Sequence, residues 1–348
     1  MRDVAQLAGV SSATVSNVLA QRKPVGPQLI ERVRRAAAQL DYQVDRAASL
    51  LRSGKAQIVA VLVPSIDNPY FTSLIAAIEH NARVSGYDII VASGNDEDAI
   101  ERARLAALLS WRPAGVVIVP STDAFAGRDL LDFARVPYVI VDRVPAHAGA
   151  DMVTVDNEHA AAAAALHLLR LGHERVLIVA SSLALANIRE RVEGVRRTYL
   201  EAGLPAPQVL EAGLSFEAIG ERIEHWLAGH GQPSGIVALT NFATLGVLAA
   251  LNHLDLRVPA DVSLIGFDDY AWMRVSTPSI TAVAQPGERM ATAAWERLHA
   301  RIRGGQEPPA RLKLRCSLEI RQSTRAVGPS LHQAGAPDVK GLEEARER

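Results

Sequence analysis

Residues that could bind a polyol occur in the segments after short apolar runs at many points along this 348-residue chain. Aromatic rings pack on the C–H faces of a sugar, and the side chains of Asp, Asn and Arg can bind its hydroxyl groups in bidentate fashion. The candidates are Tyr70, Phe71, Ser121, Asp142, Arg143, Arg191, Asn241, Asp268 and Trp272. Their chemistry predicts a small polyol-like ligand, and the two arginines also suit an anionic one such as a sugar acid or a sugar phosphate.

Near the N-terminus, small side chains share the outward face of a predicted helix. These residues are Ser12, Ala13, Ser16 and Asn17. Asn17 could bind adenine through two hydrogen bonds, whereas Ala13 offers only a methyl group. This face predicts contacts with the edges of DNA bases.

Two short helices separated by a tight turn would position that face. Gly9 interrupts the first helical pattern, Ser11 stands where an N-cap accepts a backbone N–H, and the second helix is predicted to begin at Ser12. Val10 and Val15 suit a hydrophobic staple around the cap. The inward positions are Val4, Leu7 and Ala8 in the first helix and Val15, Val18 and Leu19 in the second.

A third helix is predicted after Gly26, which can serve as its N-cap, because Pro27 suits the first helical position. Its inward residues are Ile30, Val33, Ala37 and Leu40, and its basic outer residues are Arg32, Arg34 and Arg35, with Arg22 and Lys23 just before it. Two helices across a turn with Gly, followed by a basic helix, are the layout of a DNA-binding helix-turn-helix. The alternative is an ordinary three-helix core whose outer polar residues are merely solvated.

From Ile58 onward, short β-branched runs alternate with helical patterns. The apolar runs span 58–63, 88–92, 115–119 and 138–141, and then 152–155, 175–180, 235–239 and 263–267. The helical patterns span 70–85, 97–110, 128–134, 157–171, 189–202, 217–228, 241–254 and 287–303. This alternation predicts parallel sheets covered on both faces, and its restart near residue 152 predicts two α/β lobes. Ligands of such sheets bind beyond the carboxyl ends of the strands, so the cleft between the lobes is the expected site.

Motifs in the predicted head match a known family in order and spacing. They are Asp3-Val4-Ala5, Ala8-Gly9-Val10-Ser11, Thr14-Val15-Ser16, Val18-Leu19, Val25, Leu40 and Tyr42. By these motifs the chain resembles the LacI/GalR family of bacterial transcriptional repressors. The resemblance continues to about residue 325, where Arg321-Gln322-Ser323 matches the family's closing motif.

The resemblance implies an all-α helix-turn-helix DNA-binding head, followed by an α/β two-lobed effector domain of the periplasmic-binding-protein-like kind with parallel sheets. The implied bounds are 1–44 for the head, 45–55 for a hinge and 56–325 for the effector-binding and dimerisation domain. Lobe 1 would span about 56–155 and 286–315, and lobe 2 about 156–285 and 316–325. Residues 326–348 are rich in Gly, Pro and charge and are expected to form a disordered tail.

The resemblance also implies which residues contact DNA. They are Ser11, Ser12, Ala13, Thr14, Ser16, Asn17, Arg22, Arg35, Tyr42, Ala48 and Leu51. Leu51 stands where the family's leucine wedges into the minor groove and kinks the duplex; the alternative is a linker leucine that packs on the core. The hinge departs from the family pattern at Val44, Asp45, Ser49 and Leu50. The implied partners are a near-palindromic double-stranded operator, a second copy of the chain in a homodimer, and a small-molecule effector.

The candidate effector-binding residues also have structural roles open to them. Tyr70 or Phe71 could staple the start of a helix. Arg143 and Arg191 could form salt bridges between the lobes. Asp268 could cap a turn or a helix.

Charge and cysteine content narrow the function classes further. Residues 1–55 hold nine Lys or Arg and four Asp or Glu, a net charge of +5, whereas the rest of the chain carries −6. Positive charge on the head is what phosphate binding requires. The one cysteine, Cys316, lies in an alternating strand-like run and is predicted to be a core residue and not a reactive thiol. No export signal or membrane segment is recognisable, so a cytoplasmic location is expected.

Metal or cofactor chemistry has no support in the sequence. His159, His167 and His173 are eight and six residues apart, which fits neither helical ligation nor a zinc finger, and no nucleotide-binding or hydrolase motif is present. We therefore expect no metal, no cofactor and no enzyme activity. The alternatives are a sugar-binding protein without a DNA role, which would carry an export signal and no basic head, and an enzyme on an α/β fold.

Overall fold

The computed structural model describes residues 2–19, 25–40, 42, 57–145 and 149–327. Contacts within the chain divide it into two compact units, Met1–Ala56 and Gln57–Arg348. The first unit is a head of α-helices, and the second is an α/β body with parallel sheets. These two units confirm the fold class that the sequence predicts.

The described part of the head contains α1 (Arg2–Ala8), α2 (Ser12–Leu19) and α3 (Pro27–Gln39). Gly9 has a φ of +60°, a backbone conformation that residues with a Cβ rarely adopt. The Ser11 hydroxyl accepts a hydrogen bond from the Thr14 N–H at 3.1 Å, so Ser11 caps α2 as predicted. Gly9 and Ser11 together therefore specify the tight turn.

The three helices bury a small core between them. Its buried residues are Val4, Ala5, Ala8, Val15, Val18, Val33, Ala36 and Ala37. The inward positions predicted for Leu7 and Leu40 are wrong, because their exposed fractions are 52% and 44%. Leu7 lies beside the buried arc of α1, which runs from Val4 through Ala8 to Ala5. Leu40 follows the last residue of α3, and Tyr42 packs against the core beyond it.

In the body, strands and helices follow one another in a regular order. The first part consists of β1 (Ile58–Val63), α4 (Pro69–Val84), β2 (Asp88–Ser93), α5 (Asp98–Ser110), β3 (Gly115–Ile118), α6 (Arg128–Ala134), β4 (Tyr138–Val141) and β5 (Asp151–Val155). The second part consists of α7 (Asn157–Arg170), β6 (Val176–Ala180), α8 (Ala186–Glu201), β7 (Gln208–Glu211), α9 (Phe216–His230), β8 (Gly235–Ala238), α10 (Asn241–His253), β9 (Ser263–Phe267), α11 (Ala271–Val275) and β10 (Thr281–Ala284). The last elements are α12 (Gly287–Ile302), β11 (Arg311–Leu314) and β12 (Ser317–Glu319).

The described strands form two six-stranded sheets, and each sheet forms the centre of one lobe. In lobe 1 the strand order is β11-β5-β4-β3-β1-β2, with parallel pairs such as Val116 opposite Tyr138. In lobe 2 the order is β12-β10-β9-β8-β6-β7, and only β12 is antiparallel to its neighbour among these strands. The central strands β1, β3, β6 and β8 are buried almost throughout, as apolar runs between two helical layers should be.

The chain passes between the lobes at three places. It leaves lobe 1 after β5 at Asp156, returns after β10 at Gln285, and crosses again between β11 and β12 near Cys316. The alternating run that ends at Glu319 is therefore two strands in different sheets. Cys316 is half-buried against the cores of both lobes, and burial raises the pKa of its thiol to about 12, which agrees with the predicted core role.

Some elements differ from the sequence prediction. The short strands β7 and β10 and the helix α11 are not among the predicted ones. Helix α8 begins at Ala186, three residues before the predicted start. This earlier start changes the site, because it places Asn187 on the helix.

Candidate functional site

A cavity lies between the lobes, beyond the carboxyl ends of strands from both sheets. This is the place where the crossing pattern of parallel sheets leaves room for a ligand. Lobe 1 contributes Ser65, Asn68, Tyr70, Phe71, Asp96, Asp142 and Arg143, and lobe 2 contributes Ser181, Leu185, Asn187, Ile188, Arg191, Gly213, Leu214, Thr240, Phe242 and Asp268, with Gln285 at a crossing. Six of the nine predicted effector-binding residues are in this lining.

Asp142 lines the cavity and accepts hydrogen bonds from both lobes. Its Oδ1 accepts from the Tyr70 hydroxyl at 3.1 Å, and its Oδ2 accepts from the Asn187 amide at 3.2 Å. Burial raises the pKa of Tyr70 well above its usual value, and the charge of Asp142 adds to the rise. Tyr70 therefore stays protonated and donates its hydrogen to the carboxylate, a role beyond stapling the start of α4.

Arg143 is held in place by lobe 1 alone. One of its guanidinium nitrogens donates to Asp96 at 2.6 Å and to the carbonyl oxygen of Ser121 at 2.9 Å. Its guanidinium carbon lies 5.5 Å from the centre of the Phe71 ring, within range of a cation–π contact. The salt bridge of Arg143 is thus made within lobe 1 and not between the lobes.

Arg191 is buried and is positioned by neutral groups of lobe 2. Its Nε donates to Asn157 at 2.9 Å, its Nη1 donates to the carbonyl oxygen of Leu239 at 2.8 Å, and its guanidinium carbon lies 4.0 Å from the centre of the Phe267 ring. Within the part of the chain that the structure describes, its hydrogen-bond partners include no carboxylate. Arg191 therefore has no hydrogen-bonded counterion among these residues, although its charge acts on the nearby Asp268 in the same cavity.

Asp268 follows β9 and combines two roles. Its Oδ2 accepts from the first backbone N–H of α10, that of Asn241, at 3.2 Å, and its Oδ1 accepts from Gln285 at 2.5 Å. It thus helps to cap a helix, the structural role left open by the sequence, while it also lines the cavity. Burial raises the pKa of Asp268, and the positive charge of Arg191 partly offsets this rise.

Three predicted effector-binding residues do not line the cavity. Asn241 is buried and accepts a hydrogen bond from Trp272 Nε1 at 3.2 Å. Both residues therefore support the N-terminus of α10. Ser121 is buried, and its backbone binds Glu101 through its N–H and Arg143 through its carbonyl oxygen. Ser121 thus holds the lining residue Arg143 through its carbonyl oxygen, and Asn241 binds the lining residue Asp268 through its backbone N–H. Trp272 supports Asn241 and acts one step further from the cavity.

Sequence reasoning missed several lining residues. Asn187 was missed because the predicted helix started after it, although its position four residues before Arg191 puts both on one helix face. Thr240 and Phe242 flank the predicted Asn241, so the correct loop was identified but not the correct side chains. Gln285 lies at a crossing between the lobes, where no local pattern marks it.

Those predicted DNA-binding residues that the structure describes lie on the head. Ser12 and Ala13 are exposed on α2, Thr14 and Asn17 are half-buried, and Ser11 is used as the cap. Arg35 is exposed on α3, where it lies 3.5 Å from Glu31, and Tyr42 packs against the core. The predictions for Arg22, for Ala48 and Leu51 in the hinge, and for the tail beyond residue 327 lie outside the described residues, as does the side chain of Ser16.

The described ranges contain neither a cluster of metal ligands nor a helix that could span a membrane. In these ranges no three His, Cys, Asp or Glu side chains are grouped as metal ligands would be. His159 lies beside Arg315, whereas His167 and His173 bind Thr324 and the carbonyl oxygen of Arg325. None of the helices in the described part of the chain has the length and apolar character needed to cross a bilayer.

Comparison with known proteins identifies both units. The profile described as "Bacterial regulatory proteins, lacI family" matches residues 1–45, and that described as "Periplasmic binding protein-like domain" matches residues 165–324. The HTH-type transcriptional regulator PtxS of Pseudomonas putida is 33% identical over 327 residues, which cover 93% of this chain and 95% of that protein. The ribose operon repressor of Escherichia coli is 26% identical over 305 residues, which cover 87% and 92%.

Solved structures share the fold over nearly the whole chain. The lac repressor dimer bound to operator and the anti-inducer ONPF has a TM-score of 0.82 at 25% identity, covering 93% of this chain and 98% of that one. The complex of the transcriptional regulator CelR with cellobiose has a TM-score of 0.70 at 27% identity, covering 92% and 98%. With the helix-turn-helix head, the two-lobed body and these relatives, the chain belongs to the LacI family of bacterial transcriptional regulators.

Proposed function

We propose that this chain represses transcription as a homodimer on a near-palindromic operator, and that a sugar, sugar acid or sugar phosphate in the cleft controls its affinity for DNA. The observation that carries this proposal is the hydrogen bond of Asp142 in lobe 1 with Asn187 in lobe 2, inside a cavity lined by both lobes. A ligand bound there contacts both lobes and is therefore sensitive to the angle between them.

The polar groups of the cavity suit a hydroxylated ligand. The carboxylates of Asp142 and Asp268 and the amide of Asn187 can exchange their present partners for sugar hydroxyls, and Phe242 offers an aromatic face. Arg191 suits a carboxylate or a phosphate, since only neutral groups hold it among the described residues. The names of the relatives, a ribose operon repressor and a regulator in complex with cellobiose, also favour sugars.

The head is proposed to read DNA with the residues that the sequence singles out. They are Ser11, Ser12, Ala13, Thr14, Ser16, Asn17, Arg22, Arg35, Tyr42, Ala48 and Leu51. The net charge of +5 on residues 1–55 supports phosphate binding by this unit. We place the domain bounds at 1–44 for the head, 45–55 for the hinge and 56–325 for the body, and we place the protein in the cytoplasm with the DNA that it reads.

Control of DNA affinity requires that the ligand prefer one arrangement of the lobes. A preference of about 1 to 3 kcal/mol would change operator affinity roughly 5- to 150-fold. The operator is found by selecting bound duplexes from a random pool with the full-length protein. The ligand is sought by measuring the melting temperature with D-ribose, D-glucose, D-gluconate and their phosphates. Stabilisation by one of them without any product would support the proposal, and turnover of the sugar would favour an enzyme.

A further inference from the structure

Besides the cavity, a second contact joins the lobes at one residue, Asp123. This aspartate lies in the loop that follows β3 in lobe 1. Its Oδ1 accepts a hydrogen bond from the backbone N–H of Ala186 at 2.9 Å, and its Oδ2 lies 2.5 Å from Nη2 of Arg189. Both partners are in the first turn of α8, which belongs to lobe 2.

The N-cap residue of helix α8 provides no side-chain cap. Within the helix, Asn187 Oδ1 accepts a hydrogen bond from the Ile188 N–H at 2.9 Å, but the acceptor of the Ala186 N–H comes from lobe 1. The N-cap position of α8 is occupied by Leu185, which makes no side-chain hydrogen bond, and no acidic residue lies in its first turn within the described chain. The first backbone N–H groups of a helix need acceptors, and the positive end of the helix dipole favours a carboxylate. Asp123 supplies both across the cleft.

The same helix carries two residues of the cavity. Asn187 comes one residue after Ala186, and Arg191 comes two residues after Arg189. The contact made by Asp123 therefore sets where the first two turns of α8 lie relative to lobe 1, and with them the amide that faces Asp142. Any separation of the lobes removes the cap, the ion pair and that amide together.

We propose that Asp123 is a positioning residue of the effector site, acting as a helix cap supplied by the opposite lobe. It holds α8 against lobe 1 and so keeps Asn187 and Arg191 in reach of a ligand bound to Asp142. The effect on the effector rests on the function proposed above, whereas the capping contact is a feature of the protein alone. Loss of Asp123 favours the separated lobes and weakens any ligand that needs both.

The test compares Asp123→Ala and Asp123→Asn with a matched control, Asp129→Ala. Asp129 also lies in the first turn of a helix and pairs with an arginine, Arg102, but both belong to lobe 1. Asparagine keeps an acceptor for the Ala186 N–H and loses only the charge that faces Arg189, so this variant should show a smaller effect than alanine.

The first measurement is hydrogen exchange of the first turn of α8 in the full-length protein without sugar. We expect roughly tenfold faster exchange in Asp123→Ala and no change in Asp129→Ala, because only the first variant uncaps α8. Exchange equal to that of the wild type in both Asp123 variants would overturn the proposal, whatever the sugars do.

The second measurement is the affinity for whichever of D-ribose, D-glucose, D-gluconate and their phosphates stabilises the wild type. We expect Asp123→Ala to bind it roughly tenfold more weakly and Asp129→Ala to bind it as the wild type does. Unchanged affinity in Asp123→Ala would refute the positioning role even with faster exchange in α8. If no sugar binds while exchange in α8 responds to Asp123→Ala, the function proposed above fails and the capping contact stands.

Discussion

The side-chain amide of Asn187 donates a hydrogen bond to Oδ2 of Asp142 at 3.2 Å and thereby joins the two lobes inside their cleft. The other oxygen of Asp142 is occupied by Tyr70, so both acceptors of this buried carboxylate are used inside the protein. Because buried polar groups are costly to leave without partners, a ligand that displaces either donor must replace its hydrogen bond. Sugar hydroxyl groups, which both donate and accept, meet that requirement.

Arg191→Lys should weaken binding of the sugar at least tenfold. The guanidinium serves Asn157 through one nitrogen and Leu239 through another, and a lysine ammonium cannot reach both and still face the cavity. The unserved acceptors should also lower the free energy of unfolding by about 1 to 3 kcal/mol. Calorimetric titration and urea unfolding measure the two effects.

Arg197→Lys is the matched control for that change. Arg197 lies on the same helix, but 47% of its side chain is exposed and it pairs with Glu158 outside the cavity. Sugar affinity should be unchanged in this variant. Equal losses of affinity in the two variants would show that Arg191 has no special role in binding.

The raised pKa of Asp268 leads to a prediction about pH. Burial makes the folded protein hold the carboxyl proton of Asp268 more tightly than the unfolded chain does. In the unfolded chain an aspartate has a pKa of about 3.9. From that pH upward, ionisation of Asp268 increasingly destabilises the fold until the pH passes the raised pKa. The stability of Asp268→Asn relative to the wild type should therefore rise between about pH 3.9 and the raised pKa of Asp268, and it should stay constant at higher pH. Urea unfolding from about pH 3 to 8 measures this difference.

Asp151 provides a control of opposite sign. Burial alone would raise its pKa, but hydrogen bonds from Arg301, from the N–H of Ala310 and from Arg297 outweigh burial and lower it. Its ionised form stabilises the fold above about pH 3.9, and this contribution is lost as the pH falls through the lowered pKa. Asp151→Asn should thus be least stable, relative to the wild type, above about pH 4. A difference for Asp268→Asn that shrinks with rising pH would contradict the burial argument.

Ser11→Ala should destabilise α2 of the head. The hydroxyl of Ser11 caps α2 through the Thr14 N–H, and removal of such a cap costs about 1 kcal/mol. Amide exchange in residues 12–19 should become roughly fivefold faster. Ser12→Ala is the control, because Ser12 is exposed at the first helical position and alanine suits a helix. Equal rates of amide exchange in α2 of the two variants would contradict the capping role of Ser11.

Local patterns were sufficient for the elements and for part of the site. The apolar runs at β1, β3, β6 and β8 and the cap at Ser11 depend on neighbours in sequence, so they were predicted correctly. Tyr70, Asp142 and Asp268 lie in the segments that follow strand ends, which is why the sequence could place them near the cleft.

The remaining features depend on contacts between distant parts of the chain. The support of Asn241 by Trp272, the contact of Asp123 with α8 and the position of Gln285 between the lobes leave no periodic mark in the sequence. The division of the run from Leu312 to Glu319 between two sheets is also decided by tertiary pairing. Propensity cannot distinguish one long strand from two short ones there.

Asn17→Ala and Arg35→Ala should affect DNA binding in different ways. Asn17 can read one base through its amide, so its loss should relax the preference at one base pair at a cost of about 1 to 3 kcal/mol. Arg35 is exposed, and its surface pair with Glu31 holds it weakly, so it remains available to phosphates. Its loss should weaken all duplexes alike and lower the salt dependence by roughly one counterion. Anisotropy titrations with single-position variants of the selected duplex distinguish the two effects, and a uniform loss in both variants would contradict the assignment.

Occupation of the cleft should change the affinity of the head for DNA. The affinity of the full-length protein for its selected duplex is measured at one moderate salt concentration, without sugar and with the cleft saturated. We expect a change in affinity of roughly 5- to 150-fold between the two conditions. Equal affinity with the cleft empty and with the cleft filled would contradict this expectation.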